Sequence, residues 1–315
     1  MTAEVIEMPS TQHNEVNPTV KPKNNIMDSA VILTVSRRWP SLSKTVSSSE
    51  IQVNANKKRI HVSKDLFNSQ ALKKLFNFDA KIDEFLSRRC IPFPLKRAMY
   101  MLPIDLFNET ENELTQHQAG RLPLIENCFN AYEHDLEEAK ASLGDLFDPN
   151  DYLTKEAYRA SFYFSWQYVQ FSVDAKLKEI SAEVAAREAD KMVQKWVEAG
   201  NVAEQVLYSG MNELVGHLVE RLSPAEEGKK KVFRDSMLDN LTDFLKVLKV
   251  RNLTGNENLD KLADQAKALI NDVTPDMLRT NESMRAGVQA GFEQIKAELD
   301  KALVDAPMRA VRFED

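Results

Sequence analysis

The chain has 315 residues, 43% of them hydrophobic and 28% charged, with a formal net charge of −7; that is enough for one large domain or two modest ones with true cores. Its nine glycines fall well below the average of about 7%. Neither GxxxxGK(S/T) nor GxGxxG occurs, which excludes nucleotide binding through a P-loop or a Rossmann fingerprint.

Residues 1–27 hold Pro9, Pro18 and Pro22 among polar residues without apolar periodicity, and read as a disordered tail with no basic-then-apolar leader. A basic α+β region is expected over 28–173. Residues 21–104 carry 16 Lys/Arg against 6 Asp/Glu, while 105–315 carry 25 against 39. The basic third thus faces either a different partner or the acidic remainder itself. AVILTVSRR (30–38) has the composition of a buried strand. Ile51 and Val53, then Ile60 and Val62, alternate around the turn-like stretch 54–58, which predicts a β-hairpin with a basic tip. Ser63 is a candidate N-cap for a helix carrying Leu66, Leu72, Leu75, Phe76, Ile82, Phe85 and Leu86. Pro92, Pro94 and Pro103 make 91–105 a linker or an irregular packed loop. From Leu122 the helical period is clear, through Ile125, Phe129, Tyr132, Leu136, Ala139 and Leu143. Phe162, Phe164, Trp166 and Tyr168 then alternate strictly, the signature of a strand, and the hairpin is its expected partner.

An acidic helical bundle is expected over 174–305, followed by a short tail, 306–315. Residues 174–222 read as one long helix or two collinear ones jointed at Gly200-Asn201, spanning about 70 Å if unbroken. Its apolar band, which includes Val202, Val206, Met211, Val215 and Leu218, is wider than one seam. Part of that band is therefore expected to await another chain. Ser223-Pro224-Ala225-Glu226 has the form of a capping box; helices follow to about Gly255, from Asn258 to Ile270, and after Thr274-Pro275. No apolar run approaches the ~18–20 residues of a membrane span.

The strings VSKDLFNSQALKKL, DEFLSRRCIPFPLKRAMYMLP and SLGDLFDPNDYLTKEAYRASFYFSW, with the long helix after them, resemble a family of bacterial and phage proteins, the domain-of-unknown-function 3150-like family. The resemblance covers about residues 30–220 and carries no catalytic residues. It implies an origin in phages or integrative elements, beside MoxR-type AAA ATPases and von Willebrand factor A proteins, and therefore a partner complex.

Tests for chemistry point the same way. HExxH and Glu-x-x-His are absent; Glu213 with His217 and His134 with Glu138 share a helix face but fall short of a metal set. Ser41-x-x-Lys44 lacks the companion strings of serine acyl enzymes. Cys90 and Cys128 show no CxxC spacing, so reduced thiols in a cytoplasmic protein are expected. Arg88-Arg89 beside Cys90 lowers its thiol pKa only if the side chain is not simply packed. Arg37, Arg38, Lys57, Lys58, Arg59, Lys73, Lys74, Arg88 and Arg89 are the candidate contacts for nucleic acid or a protein partner. The alternating aromatics either stack bases beside them or form a sheet-to-helix core. The expected fold is α+β and predominantly α, a small N-terminal antiparallel sheet on an extended helical bundle. The expected function is that of a non-enzymatic adaptor without cofactor or metal, partnered by an AAA ATPase or a second copy, with no membrane contact. A nucleic-acid-binding accessory protein is the alternative.

Overall fold

The computed structural model describes residues 26–47, 56, 59–223 and 233–305. In chain order these form α1 (Ile26–Ser29), β1 (Ala30–Arg38), β2 (Ser43–Val46), β3 (Val62–Asp65), α2 (Gln70–Arg89), β4 (Ile91–Pro92), β5 (Met99–Pro103), α3 (Phe107–Leu143), α4 (Lys155–Ala160) and β6 (Tyr163–Val169). Then come α5 (Ala175–Ile180), α6 (Ala182–Leu222), α7 (Ser236–Arg251), α8 (Glu257–Ile270), α9 (Pro275–Thr280) and α10 (Glu282–Asp305). The fold is α+β and predominantly α.

Strand β1 is the spine of a four-stranded antiparallel sheet ordered β4-β5-β1-β6. Its near-continuous apolar run follows from burial of both faces. Val31, Leu33 and Val35 point with Leu102, Phe164 and Trp166 toward Ile82 and Leu86 of α2 and Leu114 of α3. Ala30 and Ile32 point with Ile91, Met99 and Met101 toward Ala199, Val202 and Ala203 of α6. The sheet is thus the middle of three layers. The acidic helical part and the basic part do meet, through apolar side chains and a few hydrogen bonds to backbone carbonyls: among the described residues, no ion pair joins a residue before 174 to one after it.

Several sequence expectations change in detail. The aromatic strand forms, but its partner is β1, with Ile32 opposite Val169 and Arg38 opposite Tyr163. The two-stranded sheet that forms is not the expected hairpin of 51–53 with 60–62: β2 pairs with β3, Ser43 facing Asp65 and Val46 facing Val62, Ile60 lies before β3, and Ile51 and Val53 lie outside the described residues. Ser63 belongs to β3. The N-cap of α2 is Ser69, whose hydroxyl accepts from the Leu72 amide. The proline-rich stretch after α2 contributes two strands, tolerated because β4 is a short edge strand and Pro103 ends β5. Helix α3 begins at Phe107, fifteen residues ahead of the clear apolar period.

Helix α6 runs through Gly200-Asn201 without a joint. The break lies at Ser181, which caps α6 by accepting from the Val184 amide. Gly200 serves a close approach: a Cβ there would stand 3.0 Å from Ile26 Cδ1. Beyond that point α6 joins α7, α8 and α10 in one core containing Met211, Leu241, Leu262 and Phe292. The band expected to await another chain is covered there, with none of Val202, Val206, Met211, Val215 or Leu218 exposed. The capping box at 223–226 lies largely outside the described residues, as does the tail 306–315. The last helix is interrupted at Asn281, so α9 and α10 are distinct.

Candidate functional site

The nine basic candidates do not converge on one surface. Arg37 turns inward: its Nη1 donates to the Asp79 carbonyl at 3.1 Å, its Nη2 pairs with Asp83 at 2.7 Å, and its guanidinium lies over the Trp39 ring at 4.6 Å. Arg88 pairs with Glu84 at 2.5 Å and Arg89 with Glu109 at 2.8 Å. Arg38, Arg59, Lys73 and Lys74 are exposed, but Lys73 and Arg88 are near opposite ends of α2, about 22 Å apart along its axis. Lys57 and Lys58 lie outside the described residues. Phe164 and Trp166 face α3, where Phe164 is buried and Trp166 Nε1 donates to Glu111. They form the sheet-to-helix core rather than a stacking platform.

A buried charge cluster, which sequence reasoning missed, lies beneath Arg37. Asp79 of α2 accepts from Trp39 Nε1 at 2.9 Å and from Arg121 Nε at 2.9 Å, and His117 Nε2 stands 3.0 Å from its Oδ1. Phe78 stacks on His117, and Arg121 lies over Phe164. Burial pushes the Asp79 carboxyl up, but His117, Arg121 and Trp39 together outweigh it and hold it below the usual carboxylate range. The available signal was positional: Asp79 occupies the buried slot between Leu75 and Ile82, and His117 and Arg121 continue the buried side of α3 after Leu114. With side chains only 1–3% exposed, this cluster ties α2 to α3 and admits no substrate.

A cleft of about 510 Å³ lies at the seam of the two regions, walled by the end of α2 and by α6 and α7. That volume suits a small ligand. Arg251 of α7 lines it while only 3% exposed; its Nη2 donates to the carbonyls of Ser87 and Cys90 at 3.1 Å each, and its Nε–H has no acceptor. Two carbonyls at the negative end of α2 are favourable neighbours for a cation, yet no carboxylate pairs with Arg251 among the described residues. Burial, with Arg89 adding repulsion, pushes the guanidinium pKa down to about 10.

The remaining candidates are quiet. Burial pushes the Cys90 thiol up to about 12 and the Cys128 thiol to about 11, so Arg88-Arg89 does not create a reactive thiolate at Cys90. Ser41 Oγ donates to the Ser43 carbonyl, and Lys44 pairs with Asp151 at 2.6 Å; the pair is not arranged as nucleophile and base. Among the described residues no group of three His, Cys, Asp or Glu side chains is placed to hold a metal ion, and no helix is long and apolar enough to cross a membrane. No family model, no curated protein and no solved structure matches the chain.

Proposed function

We propose that this chain is a non-enzymatic interaction protein, a cytoplasmic adaptor in a phage or mobile-element assembly, which holds a protein partner along the free half of α6. The supporting observation is the arm made by α5 and residues 182–198. Ile180, Val193 and Val197 stand 80%, 59% and 44% exposed, and Ala185 is the one buried residue between 175 and 198. Apolar side chains left exposed in this way, Ile180 at the end of α5 and Val193 and Val197 one turn apart on α6, mark interaction surfaces.

The family resemblance makes a MoxR-type AAA ATPase the first partner to test, with self-association as the internal comparison. Sedimentation of the full chain alone and with such an ATPase should show a complex that Val193→Asp with Val197→Asp abolishes, while the circular dichroism spectrum is unchanged. A monomer under both conditions, or a complex indifferent to the double substitution, would end this reading. The nucleic-acid alternative draws on Arg38 and Lys74, exposed residues that form no ion pair among the described residues. It requires retention on DNA that falls with salt by about 0.9 log units per phosphate contact.

A further inference from the structure

The cleft between α2, α6 and α7 has a polarity that its own residues do not use. Its charged walls are largely paired: Arg88 with Glu84, Arg89 with Glu109, and Asp243 with Lys246. Two opposite charges remain, Arg251 at the floor and Glu213 on the α6 wall; neither forms an ion pair among the described residues. Val206, Leu214, Phe244 and Val247 supply apolar surface on the same walls.

The separation of those two charges follows from packing. A Cβ on Gly200 would lie 3.6 Å from Thr254 Cγ2, and one on Gly210 would lie 3.0 Å from Phe244 Cε2. Ten residues forward on α6 therefore correspond to ten residues back toward α7, so the helices run antiparallel. Arg251 is then level with Ala203, and Glu213 stands ten positions further on, about 15 Å along the axis. Side chains reaching inward from both ends shorten that span. A single amino acid is too short to bridge the remainder, whereas three extended residues cover about 10 Å.

We propose that this cleft binds a short zwitterionic peptide of two or three apolar residues, its C-terminal carboxylate toward Arg251 and its N-terminal ammonium toward Glu213. The site is independent of the arm on α6. The carboxylate supplies the counter-charge that the buried guanidinium lacks, which is the stronger of the two contacts because charge-assisted bonds gain most where water is excluded. The exposed Glu213 adds orientation more than affinity.

Calorimetric titration of the full chain with trileucine, N-acetyl-trileucine and trileucine amide tests both ends separately. Trileucine should bind saturably. Loss of the carboxylate in the amide should weaken binding about thirtyfold, as expected for a charge-assisted bond to a buried group. Acetylation should weaken it about threefold, as for an exposed ion pair. Glu213→Gln lies on the surface, so folding is not at stake, and it should make trileucine and its acetylated form bind alike. Equal affinity for all three peptides would show apolar occupancy only, and would overturn the proposal. So would the absence of trileucine binding at millimolar concentration, or a Glu213→Gln variant that still discriminates against acetylation.

Discussion

Trp166 and Tyr168, two positions apart on β6, both donate to one carboxylate oxygen of α3: Oε2 of Glu111 accepts from the indole at 2.9 Å and from the phenol at 2.5 Å. This oxygen fastens the edge strand to the helix that covers it. Glu111→Ala should lower unfolding free energy by about 1–2 kcal/mol, chiefly the cost of stranding the part-buried Trp166 indole N–H, measured by urea denaturation. Burial and the Glu111 carboxylate both hold the Tyr168 phenol above its ordinary value. A raised folded-state pKa contributes stability that is whole below about pH 10 and lost as pH rises through the folded value. Glu111→Gln should therefore lower the Tyr168 pKa, a shift that NMR titration of its ring resonances would register.

Asp79 carries the opposite sign. Its folded-state pKa lies below the unfolded one, so its contribution is whole above about pH 4 and is lost as pH falls through the folded value. Asp79→Asn should cost about 3–5 kcal/mol near neutral pH, because Arg121 is left buried without its counter-charge. The variant should also show a flatter loss of stability between about pH 4 and pH 2. Replacing Asp79 and His117 by Leu together with Arg121 by Met should recover most of that loss.

The two thiols give a kinetic test of closure. Cys90 and Cys128 are both fully buried, with pKa values pushed up to about 12 and about 11. Neither should react with an aromatic disulfide reagent under native conditions except through unfolding. The labelling rate should rise with urea in step with global opening; rapid stoichiometric labelling without denaturant would contradict the packing around both residues.

Helix α6 should behave as two unequal halves. Met211 is fully buried, and Met211→Ala should cost about 2–5 kcal/mol. Val193 is exposed, and Val193→Ala should change stability by no more than about 0.5 kcal/mol. Hydrogen exchange should follow the same division, with amides of 182–195 exchanging well before those of 203–218.

The elements legible in the sequence are those whose buried slots hold apolar side chains. Strand β1 was readable because both its faces are covered, and β6 because Phe164 and Trp166 share one face. The first half of α3 was not, because its buried positions include Thr110, His117 and Arg121. The residues that hid the helix are those of the charge cluster, so fold and cluster were missed for one reason. Gly200-Asn201 misled differently: a glycine required for the approach of Ile26 has the same appearance in sequence as one required for a bend. The cleft was not legible at all, since it joins the end of α2 to α7 across residues that share no local pattern.

The central position of β1 also governs the order of events during synthesis. Its partners lie at 99–103 and 163–169, and its second face is covered only once Ala199–Ala203 have emerged. At about 5–20 residues per second, some 8–35 s separate translation of β1 from that of its last covering helix. One edge of β1 stays open until β5 is made, the other until β6 is made, and one apolar face stays open to the end of that interval, exposed to other nascent chains. The ribosome-bound stage, rather than the finished molecule, is where this fold is most exposed to aggregation, and a chaperone that shields residues 30–38 would act there.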